Sequence, residues 1–265
     1  MLFRSERMQT GFVPHVVWGA GYTSALTLLN PEAAAQTVRI AGAFVTAQGA
    51  RVTVSTERRL PPHSRIEEDV AALFGGPALP DATGYLRFDA LNGGPGIFSH
   101  VEYSVGTQLL SAVPAQGAIN TEYYFSHVAQ GSGYYTGLSL LNPNSATVPV
   151  AIEVFGRNGL RVGGTVLNLA AGERRARLIS ELIPGAQPVG GFIQVTAPQG
   201  IFAVELFGSA DSLRFAANVA GRGTYGAPHV SSSTVAAEFG AAVISSNLEI
   251  SLVIPPRAMP RTQNV

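Results

Sequence analysis

The sequence predicts an all-β fold: two tandem antiparallel β-sandwich domains, each with one short helix, followed by a partial C-terminal extension. Three observations lead there. The first is internal repetition. Phe12 to Pro31 and Tyr124 to Pro143 align without a gap at an offset of 112, with ten identities in twenty positions, among them His15/His127, Gly19/Gly131, Gly21/Gly133, Tyr22/Tyr134, Leu28/Leu140 and Asn30/Asn142. A repeat of about one domain length means two like folding units, an arrangement that presents surfaces or spans distance more often than it builds one active site. The second is composition: 13% charged residues with 30 Gly and 17 Pro in 265, against a usual charged share of about 25%. The third is punctuation, because short segments with period-two apolar alternation recur between Gly, Pro and Asn.

Taken in order, the elements run as follows. Leu26, Leu28 and their counterparts Leu138, Leu140 form a strand that ends at Asn30-Pro31 and Asn142-Pro143. Val38, Ile40 and Phe44, answered by Val148, Val150, Ile152 and Val154, begin a hairpin in each copy, turned at Gln48-Gly49 and Asn158-Gly159. The returning strands are Val52 to Leu60 and Gly163 to Leu169. Ser64 followed by Glu67 matches a capping box, and Val70, Leu73 and Phe74 before Gly75-Gly76 complete a short helix; Arg177 to Ile183 is its partner. Each helix is expected to cross from one sheet to the other. Further strands are Tyr85 to Ala90 with Phe192 to Thr196, then Ile97 to Tyr103 with Ile201 to Phe207. Aligning Gly96 to Glu102 with Gly200 to Glu205 requires dropping one residue. A β-bulge is therefore predicted in the first copy, since a one-residue slip turns every side chain to the other face.

These signals set domain boundaries at 1–118, 119–223 and 224–265, the last a degenerate or truncated third unit or tail. Ala227-Pro228-His229-Val230 echoes Val13-Pro14-His15-Val16, but no Gly-Tyr or Asn-Pro signature follows. Asn247 to Ile254 could form one strand. The linker Ala115 to Thr121 is short, so the two units are expected to touch, with some bending allowed by its Gly and small residues. Met1 to Gln9 has Arg4 and Arg7 but no apolar run of signal-peptide length, and no segment reaches a membrane span. The chain reads as a piece of a longer array or a unit with a degenerate tail, and membrane insertion is not expected.

The His-Val, Gly-x-Gly-Tyr and Leu-x-Leu-Leu-Asn-Pro string resembles a family of largely uncharacterised tandem Ig-like β-sandwich repeats in exported bacterial proteins of the acidobacterial type. Gly190 to Thr196, Glu205 to Gly208 and Leu110 to Pro114 are similar to it as well. The resemblance covers about Phe12 to Gly223. It implies an extracellular or cell-surface, Ig-like, non-catalytic module beside other adhesion-type domains. Trp18, Arg214-Phe215 and the unmatched tail depart from the pattern.

Chemistry is narrowed by absences in the sequence. All 17 basic residues are Arg, which removes Walker-type loops and Schiff-base lysines, and there is no Cys for disulfides, thiol catalysis or Cys-based zinc sites. Formal net charge is zero, so nucleic acid is not an expected partner. Gly19-Ala20-Gly21 and Gly131-Ser132-Gly133 lack the third glycine of a dinucleotide fingerprint and lead into strands, so they read as positive-φ turns. No nucleophile elbow and no metalloprotease helix is present. His15, His127, Glu102 and Glu205, with His100, are the weak candidates for holding a metal or moving a proton. The adopted reading is strand histidines satisfied by backbone, with the glutamates in structural ion pairs. No cofactor is expected.

Rim aromatics are the better lead for binding, because flat rings can stack on sugars or fill a partner's pocket. Trp18, Tyr22, Tyr134 and Tyr135 lie at or beside the Gly-rich turns, and Tyr123 and Tyr124 sit at the junction. The leading functional expectation is a non-catalytic spacer, adhesion or scaffold module. Expected partners are other domains of a longer array, cell-surface proteins or polysaccharide. The alternatives are a carbohydrate-binding module using the rim aromatics and, behind it, a metal-dependent hydrolase.

Overall fold

A computed structural model of the chain describes residues 7–75, 81–106, 108–131, 133–186, 188, 190–209, 215–218, 229–230, 241–244 and 251–254. The fold is all-β and sandwich-like. Its elements are β1 Thr10–Trp18, β2 Tyr22–Asn30, β3 Gln36–Thr46, β4 Arg51–Leu60, β5 Ser64–Asp69, α1 Val70–Leu73, β6 Ala82–Ala90, β7 Phe98–Val105 and β8 Gln108–Pro114. There follow β9 Asn120–Phe125, β10 Tyr134–Leu141, β11 Val148–Gly156, β12 Arg161–Leu169, β13 Arg174–Leu178, α2 Ile179–Leu182, β14 Gly191–Ser209, β15 Phe215–Asn218, β16 His229–Val230, β17 Ala241–Ile244 and β18 Ser251–Ile254.

Two antiparallel sheets, ordered β1-β6-β3-β4 and β5-β2-β7-β8, enclose a first core. The pairing order then recurs as β9-β14-β11-β12 and β13-β10-β14-β15 around a second core. The 19-residue β14 belongs to both of these later sheets. Phe192 to Thr196 pairs with β9 and β11, and Phe202 to Ser209 pairs with β10. The first core makes the same crossing with β6 and β7, separated by residues 91–97.

Alternation explains the cores. Val148, Val150, Ile152 and Val154 are all fully buried, as are Val38 and Ile40, while the intervening Arg39 of β3 is exposed. Each such side chain contributes about 1.5–3 kcal/mol when buried. The hairpin turns at Gly49 and Gly159 have φ of 84° and 76°, and Gly19, Gly21, Gly131 and Gly133 are likewise at positive φ, as their turns require.

Asn30 and Asn142 do more than end a strand. Each is fully buried, and Asn142 Nδ2 donates to Ala146 O at 2.8 Å, Leu169 O at 2.9 Å and Ala170 O at 3.0 Å, while its Oδ1 accepts from Asn144 N at 2.9 Å. Asn30 repeats the pattern on Ala34 O, Leu60 O and Pro61 O, with Oδ1 accepting from Glu32 N. The amide thus ties the end of one strand to the end of another far away in sequence.

Two expectations are corrected. Ser64 to Asp69 is strand β5, paired with Ala25 to Asn30, and Ser64 Oγ donates to Pro61 O instead of capping a helix. Only the single turn Val70–Leu73 is helical, capped by Asp69, whose Oδ1 accepts from Ala72 N at 2.9 Å. Six ladder pairs with β2 outweigh a local capping preference. In the same way Arg174–Leu178 is strand, and α2 is Ile179–Leu182. The predicted bulge is also displaced. β2 and β7 pair from Tyr22/Val105 to Leu29/Phe98 without a shift, and the irregularity lies between β7 and β8 at Tyr103/Ser104. The echo at Ala227-Pro228 and the first half of the predicted strand 247–254 lie outside the described residues, whereas His229-Val230 pairs with β15 and Ser251–Ile254 with β17.

Candidate functional site

The densest set of polar side chains lies where the two cores meet, and it is centred on Arg174 at the start of β13. Its Nε donates to Pro14 O at 3.1 Å and to Ser139 Oγ at 3.0 Å, and its Nη2 donates to Thr83 Oγ1 at 3.0 Å and to His15 Nδ1. Ser139 Oγ also donates to Pro14 O, at 2.8 Å. Tyr103 donates its hydroxyl to His15 O at 2.6 Å. An arginine only donates, so His15 Nδ1 must accept, which fixes a neutral imidazole protonated at Nε2. Burial, and then the Arg174 charge, hold the His15 pKa well below its ordinary value. Burial brings Arg174 itself down to about 10, and burial raises the Tyr103 phenol.

Apolar contacts surround this set. Phe12 stacks on Phe202 with ring centroids 4.5 Å apart, and the Arg87 guanidinium lies over its ring at 5.7 Å. Val204 of β14 packs into the first core, with Leu206 beside it. The linker takes part. Gln116 exchanges backbone hydrogen bonds with Phe12 and donates its side-chain amide to Ala203 O at 2.9 Å. It is therefore stitched to both cores, and the bending expected from its composition is opposed by these bonds.

Beside Arg174 a cleft of about 660 Å3 opens between β12, β13 and α2, walled by Val45 and Thr83 of the first core. Its charged groups are engaged locally. Arg175 Nε donates to Glu173 Oε1 at 3.0 Å, and Glu181 accepts from Leu178 N at 2.8 Å.

The residues singled out from sequence fall in several places. Trp18 is not at a rim: it is 6% exposed and packs edge-on against Phe44 at 4.7 Å in the first core. Tyr22 of β2 and Tyr135 of β10 are brought together and share a hydrogen bond, and burial with the Tyr22 hydroxyl pushes the Tyr135 pKa up to about 12. Tyr134 is half-buried and closes the Gly131 turn by a backbone bridge, as Tyr22 closes the Gly19 turn. Tyr123 is buried, donating to Ile201 O at 2.6 Å, and Tyr124 donates to Glu122 at 2.6 Å.

His127 packs against Phe207 at 4.4 Å, and burial lowers its pKa. His100 Nε2 lies 3.1 Å from Glu102, and Arg65 is 3.9 Å from the same carboxylate. Glu205 is not the equivalent of Glu102. It stands opposite Leu138 as Val101 stands opposite Leu26, and it is fully buried. His15, His127, Glu102 and Glu205 do not converge, and among the described residues no group of three His, Cys, Asp or Glu is placed to hold a metal ion. No helix there is long and apolar enough to cross a membrane.

Sequence reading missed Arg174, Ser139, Phe12, Phe202 and Gln116. One signal was available: Arg65 and Arg174 stand at matching ladder positions, opposite Leu29 and Leu141 of the two similar sequence segments.

No family model and no curated protein matches the chain. Among solved structures it is similar to Bacteroides uniformis β-glucuronidase 2 covalently bound to cyclophellitol-6-carboxylate aziridine, at 10% identity and a TM-score of 0.19, covering 81% of this chain and 26% of that one. The chain thus spans about a quarter of that enzyme's length, and a likeness at this score carries no argument.

Proposed function

We propose that the chain is a non-catalytic spacer or scaffold module: two like, Ig-like β-sandwich units, 1–118 and 119–223, docked in tandem into one stiff body and displayed at the cell surface or secreted. The recurring strand order supports the two-unit reading. The observation that carries the function is the Arg174 contact set. The residue types best suited to chemistry, an imidazole, a guanidinium, a phenol and two hydroxyls, bond to one another and to backbone at the junction, with the bonds of Arg174 to Pro14 O, His15 and Thr83 crossing it. A polysaccharide role through Trp18 is not favoured, because its ring is interior.

The chain has no cysteine, so Ser55→Cys with Asn168→Cys, both exposed, gives one spin-label pair reporting across the junction. A single narrow distance distribution is the expected result. A broad one overturns the stiff-spacer reading, and turnover across a panel of glycosides, esters and peptides overturns the non-catalytic one.

A further inference from the structure

The face of the second core that docks onto β1 has a counterpart on the first core, position by position. Leu141 stands between Arg174 and Phe202, and Leu29 stands between Arg65 and Phe98 at the same register. Arg174 Nε donates to Ser139 Oγ at 3.0 Å, and Arg65 Nη2 donates to the matching Thr27 Oγ1 at 3.2 Å. The difference is cover. Leu141 is fully buried and Phe202 is 2% exposed beneath Phe12, whereas Leu29 is 37% exposed.

The docking strand has a counterpart as well. Tyr124-Phe125-Ser126-His127 occupies the place of Phe12-Val13-Pro14-His15, with Tyr124 opposite Gln194 as Phe12 is opposite Arg87. Each chain therefore carries one used pair of faces and one further pair of the same kind. We propose that the outer face of β5-β2-β7 receives the β9 strand of a second copy of this chain, head to tail, as the β13-β10-β14 face receives β1.

The contact is heterologous, so it propagates into rods or closes into rings instead of stopping at a two-fold dimer. A formal net charge of zero leaves no long-range repulsion between copies. The face on the first core is more polar than its counterpart, since Glu67, His100 and Glu102 stand where Ala176, Val204 and Leu206 stand in the second. The association between chains is accordingly reversible and concentration-dependent, unlike the tethered junction within one. This inference concerns contacts between chains and does not depend on the spacer reading, which stands or falls on the labelling experiment within one chain.

Sedimentation of the full chain over a concentration series tests it, with Leu29→Arg as an acceptor-side variant at an exposed position and Tyr124→Arg on the donor side. The unmodified chain should grow in mass with concentration, and each variant alone should associate at least about tenfold more weakly. An equimolar mixture of the two variants should stop at dimers, because each supplies the face the other lacks. A second measurement is independent of those variants. Phe98→Cys mixed with Tyr124→Cys should form one disulfide-linked heterodimer under mild oxidation, since the equivalent rings, Phe202 and Phe12, lie 4.5 Å apart. A chain that stays monomeric up to about 500 µM, or one that associates undiminished in the Leu29→Arg variant, overturns the proposal. So does the absence of a 98–124 crosslink at concentrations where mass grows.

Discussion

Replacing Arg174 with Met retains much of the side chain's apolar length and removes its hydrogen bonds to Pro14 O, Thr83 Oγ1 and His15 Nδ1 in the first core and to Ser139 Oγ in the second. A hydrogen bond from a charged donor contributes about 1.5–3 kcal/mol. Against the three that cross the junction stands the burial that brings the Arg174 pKa down to about 10, a cost of about 3 kcal/mol against the charged form. The net loss of docking free energy is then about 1.5–6 kcal/mol, at least about tenfold in the equilibrium between docked and undocked cores. Pro14 O keeps the Ser139 hydroxyl, so the damage concentrates on His15 and Thr83. The assay is urea unfolding followed by intrinsic fluorescence, together with the spin-label distance. In the variant a single cooperative transition should separate into two and the distance distribution should broaden, while Arg174→Lys, which keeps the charge and loses the planar fork, should fall between. A variant within about 0.5 kcal/mol of the unmodified chain, with an unchanged distance, would falsify the argument that this residue holds the junction.

Other expectations follow from the same geometry. Asn142→Ala leaves the carbonyls of Ala146, Leu169 and Ala170 without their shared donor and should destabilise the second core by about 3 kcal/mol in urea titration, with Asn30→Ala doing the same to the first. His15 has a folded pKa below its ordinary 6.5, so the unfolded chain binds the proton first as pH drops. The stability it supports is complete above about pH 6.5 and declines as pH falls toward the folded pKa, with His127 acting in the same direction. Thermal unfolding between pH 7.5 and 5 should reveal that decline, and His15→Gln, which keeps an acceptor, should flatten it. Trp18→Ala should cost about 3–5 kcal/mol of stability by opening the first core. Equal stability of the variant, paired with lost retention on a polysaccharide column, would restore the rim-aromatic reading.

The features legible in the sequence are those decided by neighbours along the chain. Val148, Val150, Ile152 and Val154 announce a buried strand because burial parity is local, and the Gly19-to-Gly21 and Asn158-Gly159 turns follow from positive φ alone. What misled the reading was decided at a distance. Ser64 to Asp69 carries a respectable helix start, yet β2 needs an edge partner and takes it as strand. The one-residue discrepancy near Gly96 reads as a bulge inside a strand, whereas the β2–β7 and β10–β14 ladders run unbroken and the two copies differ in how the strands before them are joined. That placement also aligns Glu205 with Glu102, whereas its positional counterpart is Val101. Trp18 follows Val16 by two, so strand parity points it inward despite the neighbouring Gly turn. Arg174 could not be found by motif, because its meaning comes from residues about 90 to 160 positions away.

The unbroken run of β14 through both of its sheets has a mechanical consequence. Around the second core one covalent backbone passes through both layers, so tension on either layer is carried directly into the other. The first core makes the same crossing through the seven residues 91–97, tied at one end by Leu91 N to Thr37 O and at the other by the paired backbone bonds of Ile97 and Met8. Under a stretching load those ties must break before the connection can lengthen, so neither half yields ahead of its hydrogen bonds.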